Sequence, residues 1–403
     1  MLFNNPHACR RAYPDELRDI LSIAQARRTR RWLSTWPMLS PGPTPLWRLP
    51  DLARELGVAG IFVKDESKRS PLGSFKALGA PAALVHLVLR EHPGWDPEDL
   101  LRGAHKAELR GLVVITATDG NHGRALAGAA RSAGVRCVVV LHKHVSAERE
   151  TEIAELGAEI IRVEGNYDAS VAHAAELARQ SGWQVVSDTS YEGYETVPRD
   201  VMQGYGTIVD ELLEQEGGSA PFTHVILQGG VGGLAAGIAS YLWEAFGAAR
   251  PALAVVEPRQ ADCLLQSAMR GRPSRATGSV DSVMAGLACG EASPLAWRFL
   301  EGSIDGFLTI EDEQAVEAMR RMARGSRGDI PIVSGESGAA GVAALCELAQ
   351  SGMLRARSSI DAESRILLIN TEGATAPSVY RELAGIDAAE VLQRQCDWSV
   401  TEP

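Results

Sequence analysis

The sequence predicts an α/β protein of two lobes, each built on a mostly parallel sheet. Three observations carry that expectation. Short runs rich in valine and isoleucine alternate with alanine-rich segments of helical periodicity, the pattern of buried parallel strands joined by crossover helices. At 403 residues the chain exceeds what a single hydrophobic core usually serves. The strand-like runs also fall into two groups, parted by the stretch VPRDVMQGYGTIVDELLEQEGGSAP.

In order along the chain, the first group comprises GIFVKDE near residue 62, LVVITAT at 112–118, RCVVVLH at 136–142, EIIRVEG at 159–165 and WQVVSDT at 183–189. Between them, HGRALAGAARSAG and YDASVAHAAELARQSG place alanine and leucine at helical spacing. The second group is THVILQG at 223–229, ALAVVEP at 252–258 and RILLINT at 365–371. Residues 91–110 read as a polar excursion and 355–364 as an exposed turn, and no internal repeat is visible. The expected organisation is a large α/β domain of residues 1–84 and 205–403, with residues 85–204 forming a smaller α/β domain. A ligand is expected in the cleft between them.

Composition narrows the partners. A formal net charge of -11 argues against nucleic acid, whose phosphates need clustered lysine and arginine. The one basic cluster, RRTRRW (Arg27, Arg28, Arg30, Arg31 and Trp32), reads as a solvated helix face. No apolar run is long enough for a membrane span and the first residues lack the core of a signal peptide, so a cytoplasmic protein is expected. The six cysteines form no CxxC pair, and no metal site is expected. Cys263 and Cys289 flank one loop-rich segment and are able to meet.

Three segments carry chemistry. Lys76, in KDESKRSPLGSFKALGA, stands where a helix begins. One turn inside such a helix it would be desolvated, which lowers a lysine pKa and makes the amine a nucleophile toward aldehydes. By itself it is equally a snorkelling surface lysine. In TATDGNHGRALA a buried strand delivers Thr118, Asp119, Gly120 and Asn121 to a helix start, where backbone N–H groups converge on an anion such as a substrate carboxylate. Alone, this is also a common turn. In HVILQGGVGGLAAG, the residues Gly229, Gly230, Val231, Gly232 and Gly233 form a second anion cradle between strand and helix.

The last segment has a rival reading. Gly230, Gly232 and Ala235 fit a dinucleotide fingerprint, with Glu257 ending the next strand as the ribose-binding acid of a Rossmann oxidoreductase. That reading leaves Lys76 and the asparagine turn unexplained. A Schiff-base lysine, an asparagine beside a ring and a glycine cup for a phosphate together suit pyridoxal 5'-phosphate.

These segments resemble the tryptophan-synthase-β-like, fold type II family of pyridoxal-phosphate enzymes, and PTPL at 43–46 ahead of KDES fits the same pattern. Within that family, ATDGNHGRALA, SDTSYEGYETVPRDVMQGYGTI, MAGLACGE and NTEGATAP are similar to the diaminopropionate ammonia-lyase group. The resemblance implies the cofactor in the inter-lobe cleft, Lys76 as its covalent anchor, Asn121 at its ring hydroxyl, residues 229–233 around its phosphate and Thr371 at its pyridine nitrogen. It also implies Asp119 and Asp188 as the bases for the two enantiomers of 2,3-diaminopropionate, given a pKa raised toward neutrality. Thr118, Asp119, Gly120 and Asp188 then face the substrate. His122 is expected to support the loop, and Ser74 to hold the phosphate or cap the lysine helix.

Two departures stand out. Tyr191-Glu192 replaces the family's tryptophan-proline pair, and QGGVGGL replaces its commoner phosphate loop. The expected molecule is a cytoplasmic homodimer that eliminates ammonia from a small amino-acid substrate. A serine or threonine dehydratase and a β-replacement synthase on the same fold are the alternatives, with the Rossmann oxidoreductase more remote.

Overall fold

The computed structural model describes residues 1–401 other than 119, 144, 166 and 219–221. Eleven strands are described: β1 (Leu2–Asn4), β2 (Leu46–Arg48), β3 (Gly60–Asp65), β4 (Val113–Ala117), β5 (Arg136–His142), β6 (Glu159–Val163), β7 (Gln184–Val185), β8 (His224–Gln228), β9 (Ala252–Pro258), β10 (Gly306–Ile310) and β11 (Arg365–Asn370). They form a seven-stranded sheet in the order β1-β10-β9-β8-β11-β3-β2 and a four-stranded sheet in the order β6-β5-β4-β7. Within the larger sheet the five central strands run parallel and only the edge strands β1 and β2 are antiparallel, while the smaller sheet is parallel throughout. The α/β class with two mostly parallel lobes is therefore as expected.

All eight expected runs are strands. β1, β2 and β10 were not anticipated: the first two are three-residue edge strands without a periodic pattern, and GFLTI is a brief apolar run. Residues 91–110 contain the helix Pro97–Arg102 and a 3-10 turn at Glu108–Gly111, and the helix Gly352–Ser358 extends into the expected exposed turn. Positions 84 and 204, where domain boundaries were expected, fall inside the helices Lys76–Glu91 and Thr196–Gln215.

Those two helices and Gly233–Phe246 pack between the sheets, with Leu78, Val201, Ile208 and Ile238 in one continuous core. Glycine lets their backbones touch. A Cβ at Gly204 would lie 2.1 Å from the Leu78 carbonyl oxygen, and one at Gly237 would lie 2.7 Å from that of Met202. A second core, with Val63, Ile226, Leu368 and Met319, covers the other face of the larger sheet. A third, around Ile115, Val138, Val140 and Ala174, covers the outer face of the smaller one.

The basic cluster is in part the expected solvated helix face, with Arg27, Arg28 and Arg31 exposed, and in part an ion-paired seam. On the helix Ile23–Leu33, Arg27 and Arg30 reach Asp210 at 2.9 and 2.6 Å, Arg30 also reaches Glu214 at 2.7 Å, and Trp32 is buried. It clamps this helix onto Thr196–Gln215. Among the described residues no helix is long and apolar enough to cross a membrane, and no cluster of ligating side chains could hold a metal ion.

Candidate active site

A cleft of about 920 Å³, including its open mouth, lies between the lobes. Its floor is made by residues that directly follow the C-terminal ends of β4, β8 and β11, where parallel α/β sheets bind their ligands. The sequence segments meet here: Lys76, Thr118, Gly120, Asn121, Asp188, Gly229, Gly230, Val231, Gly233 and Thr371 all line the cleft. Asp119 lies outside the described residues. Gly232 faces away, since a Cβ there would point into Leu300 at 2.9 Å and Ala296 at 3.2 Å.

Lys76 is the first residue of its helix, not one turn inside it, and Nζ forms an ion pair with Asp188. The expected low pKa is corrected accordingly. Burial alone would lower it, but the Asp188 carboxylate outweighs burial and holds the amine above the usual lysine range. Asp188 is corrected in the opposite sense. Burial pushes its carboxyl up, yet the Lys76 charge overrides this and holds it well below the ordinary range. Ser74 does not cap the helix with its side chain; it pairs with Glu372 as an isolated antiparallel bridge.

The Thr118 hydroxyl oxygen accepts the N–H groups of Gly120 at 3.0 Å and Gly123 at 3.2 Å, which folds the loop back onto the start of the helix Asn121–Ala133. His122 is buried, its Nε2–H donates to the Val186 carbonyl at 2.9 Å, and burial lowers its pKa. It braces the loop as a neutral imidazole. Asn121 donates through Nδ2 to the buried Glu372.

In the glycine loop Gly230 and Gly232 take φ of 60° and 100°, a backbone that side chains rarely adopt. Gly229 is required for another reason, because a Cβ there would lie 2.5 Å from Glu257 Cγ. Gly230 and Gly233 line the cleft, and a Cβ on them would have its nearest neighbours at 3.3 and 3.6 Å. The Gly229 N–H is taken by Val256 and the Gly232 N–H by Gly229. Those of Gly230, Val231, Gly233 and Leu234 have no protein acceptor among the described residues, as befits a loop opening the helix Gly233–Phe246.

Glu257 ends β9 but cannot read a ribose. It is wholly buried beneath the loop, accepts the N–H groups of Leu264 and Leu265 at 2.8 Å each, and burial pushes its carboxyl up to about 8. The dinucleotide reading is thereby overturned. Cys263 Sγ donates to the Gly230 carbonyl at 3.4 Å and Cys289 lines the cleft beside the same glycine, and no disulfide forms among the described cysteines.

Sequence reasoning missed Tyr205, Glu372 and Arg149, which also line the cleft. Tyr205 stands between Gly204 and Gly206, whose lack of side chains allows close helix packing; its hydroxyl is buried without a hydrogen-bond partner among the described residues. Arg149, from the helix Ala147–Glu155, crosses to Glu336 at 2.5 Å. Together, four uncommitted N–H groups, an unsatisfied phenol and a lysine in the same cleft fit pyridoxal phosphate: the amides suit its phosphate and the amine its aldehyde.

Residues 38–372 match the family of pyridoxal-phosphate dependent enzymes, and the chain belongs to that family. Within it, the chain is 38% identical over 347 residues to diaminopropionate ammonia-lyase of Escherichia coli strain K12, covering 85% of this chain and 87% of that one. It is 40% identical over 353 residues to diaminopropionate ammonia-lyase of Salmonella typhimurium strain LT2, covering 84% and 87%. It also matches, with a TM-score of 0.85 and 36% identity over 95% of this chain and 96% of the other, the crystal structure of the E. coli enzyme in complex with an aminoacrylate–pyridoxal-phosphate azomethine reaction intermediate.

Proposed function

We propose that this chain is a carbon–nitrogen lyase that eliminates the β-amine of 2,3-diaminopropionate, in its D form, its L form or both, as ammonia, after which water hydrolyses the released enamine to pyruvate and a second ammonia. The observation that carries the reading is the Lys76–Asp188 pair in a cleft it shares with an uncommitted anion cradle, in a chain similar to ammonia-lyases over most of its length. When bound, pyridoxal phosphate would accept the substrate amine in place of that of Lys76 and withdraw electrons from Cα, so that the Cα proton becomes acidic and the β-amine can leave.

The protein's own groups supply the rest. The N–H groups of Gly230, Val231, Gly233 and Leu234 hold the phosphate, Asn121 contacts the ring hydroxyl and Thr371 the pyridine nitrogen. Lys76 anchors the cofactor and releases the product. Asp188 owes its low proton affinity to the Lys76 charge. Once that amine is no longer cationic, burial dominates and the carboxylate becomes a base able to take the Cα proton. The family resemblance assigns Asp119 the same task for the other enantiomer. The Thr118–Gly120 turn receives the substrate carboxylate.

Pyruvate release from D- and L-diaminopropionate, compared with D- and L-serine and L-threonine, tests the assignment. Turnover of serine or threonine with none of either diaminopropionate isomer would overturn it in favour of a dehydratase. The reading includes a cytoplasmic homodimer, supported by the family resemblance; sedimentation equilibrium of the purified protein tests the oligomeric state.

A further inference from the structure

One buried carboxylate in the cleft has no part in the chemistry above. Glu372 follows Thr371 beyond the end of β11 and is 3% exposed. Both of its oxygens are engaged: Oε1 accepts the Ser337 N–H at 3.1 Å, and Oε2 accepts Nδ2 of Asn121. The backbone around it is fixed as tightly. The Glu372 carbonyl accepts the Gly335 N–H at 3.0 Å, and Ser74 bridges the same residue from two positions before Lys76. A Cβ at Gly335 would lie 3.0 Å from Glu372 Cγ, and one at Gly338 would lie 2.8 Å from its carbonyl oxygen. The larger lobe alone therefore sets where this carboxylate stands, and Asn121 reaches it from the smaller lobe.

An asparagine carboxamide has a broad terminal torsion, and its oxygen and nitrogen can exchange places by rotation. A fixed, buried acceptor removes that freedom. With the NH₂ committed to Glu372, a flipped amide would set Oδ1 against a carboxylate oxygen, leaving one orientation and one free amide N–H.

We infer that Glu372 is a positioning residue for the cofactor: it locks the Asn121 carboxamide so that its remaining N–H meets the cofactor ring, and it makes that bond a tie between the two lobes. The inference rests on the pyridoxal-phosphate reading of the cleft. Asn121 touches the ring, and Glu372 acts through Asn121.

A double-mutant cycle tests it. The dissociation constant for pyridoxal phosphate is measured by titrating the apo-protein and following the visible absorption of the bound cofactor. The proteins compared are the wild type, Glu372→Gln, Asn121→Ala and the double variant. Glutamine keeps the shape but sets an NH₂ against one of the two donors. Loss of a hydrogen bond to a charged group predicts binding weakened roughly tenfold in each single variant. Because Glu372 acts through Asn121, the double variant should bind no more weakly than Asn121→Ala. Should Glu372→Gln not fold, Glu372→Asp takes its place in the same cycle, since the shorter carboxylate draws back from Asn121. Wild-type affinity in the Glu372 variant, or losses that multiply in the double variant, would overturn the inference. A wild-type protein that develops no visible band would instead refute the pyridoxal-phosphate reading itself.

Discussion

Glu257 makes the sharpest prediction about stability. Its carboxyl is fully buried under the glycine loop and its pKa rises from 4.5 to about 8, through burial set against two backbone N–H bonds. A carboxyl with a folded-state pKa above its unfolded value contributes its full stability below the unfolded pKa. The contribution falls as pH rises through the window between the two values and levels off once the folded state ionises as well. Between pH 6 and pH 9 the linkage amounts to about 3 kcal/mol. Glu257→Gln removes the titration but keeps the shape. Its NH₂ meets one of the Leu264 and Leu265 N–H donors, a pH-independent cost of about 1–3 kcal/mol. Urea unfolding of both apo-proteins across this range should show the wild type losing about 3 kcal/mol relative to the variant. A gap between the two proteins that stays constant from pH 6 to 9 would refute the reasoning.

Other predictions follow from the same geometry. Lys76→Ala reconstituted with pyridoxal phosphate and freed of excess should show no visible band of lysine-bound cofactor in its absorption spectrum. Asp119→Asn should mainly impair turnover of D-diaminopropionate and Asp188→Asn that of the L-isomer, read by pyruvate release; equal loss on both isomers in each variant would sink the two-base division. Gly204→Ala puts a methyl 2.1 Å from the Leu78 carbonyl oxygen and should cost about 2 kcal/mol in chemical denaturation by forcing two helices apart.

Much of the fold was legible because buried parallel strands leave a local trace. Runs such as RCVVVLH and RILLINT are apolar on both faces, and each became a central or near-central strand. Edge strands leave little trace, since β1 and β2 are three residues long, and β1 owes its form to β10, remote in the chain, while β2 owes its form to β3 across the helix Pro50–Leu56. Cleft residues were legible where a glycine or turn motif marked them, as at Thr118, Gly120 and Asn121 and at Gly229, Gly230, Val231 and Gly233. Arg149 carries no such mark, and the glycines flanking Tyr205 mark helix packing and not a site, because a helical side chain enters the cleft only by virtue of how its helix packs.

The sequence by itself determined the α/β class, the segments that line the cleft and the family, because strand periodicity, turn chemistry and motif spacing are properties of neighbouring residues. Tertiary structure decided the charges and the supports. Lys76 and Asp188, 112 residues apart, set each other's protonation, reversing what burial alone predicts for either. Glu257 changed from a candidate ribose ligand to a buried helix cap, and Glu372 came to hold Asn121 across 251 residues. Proton affinity and side-chain orientation depend on distances through space, and only the packed lobes bring those groups together.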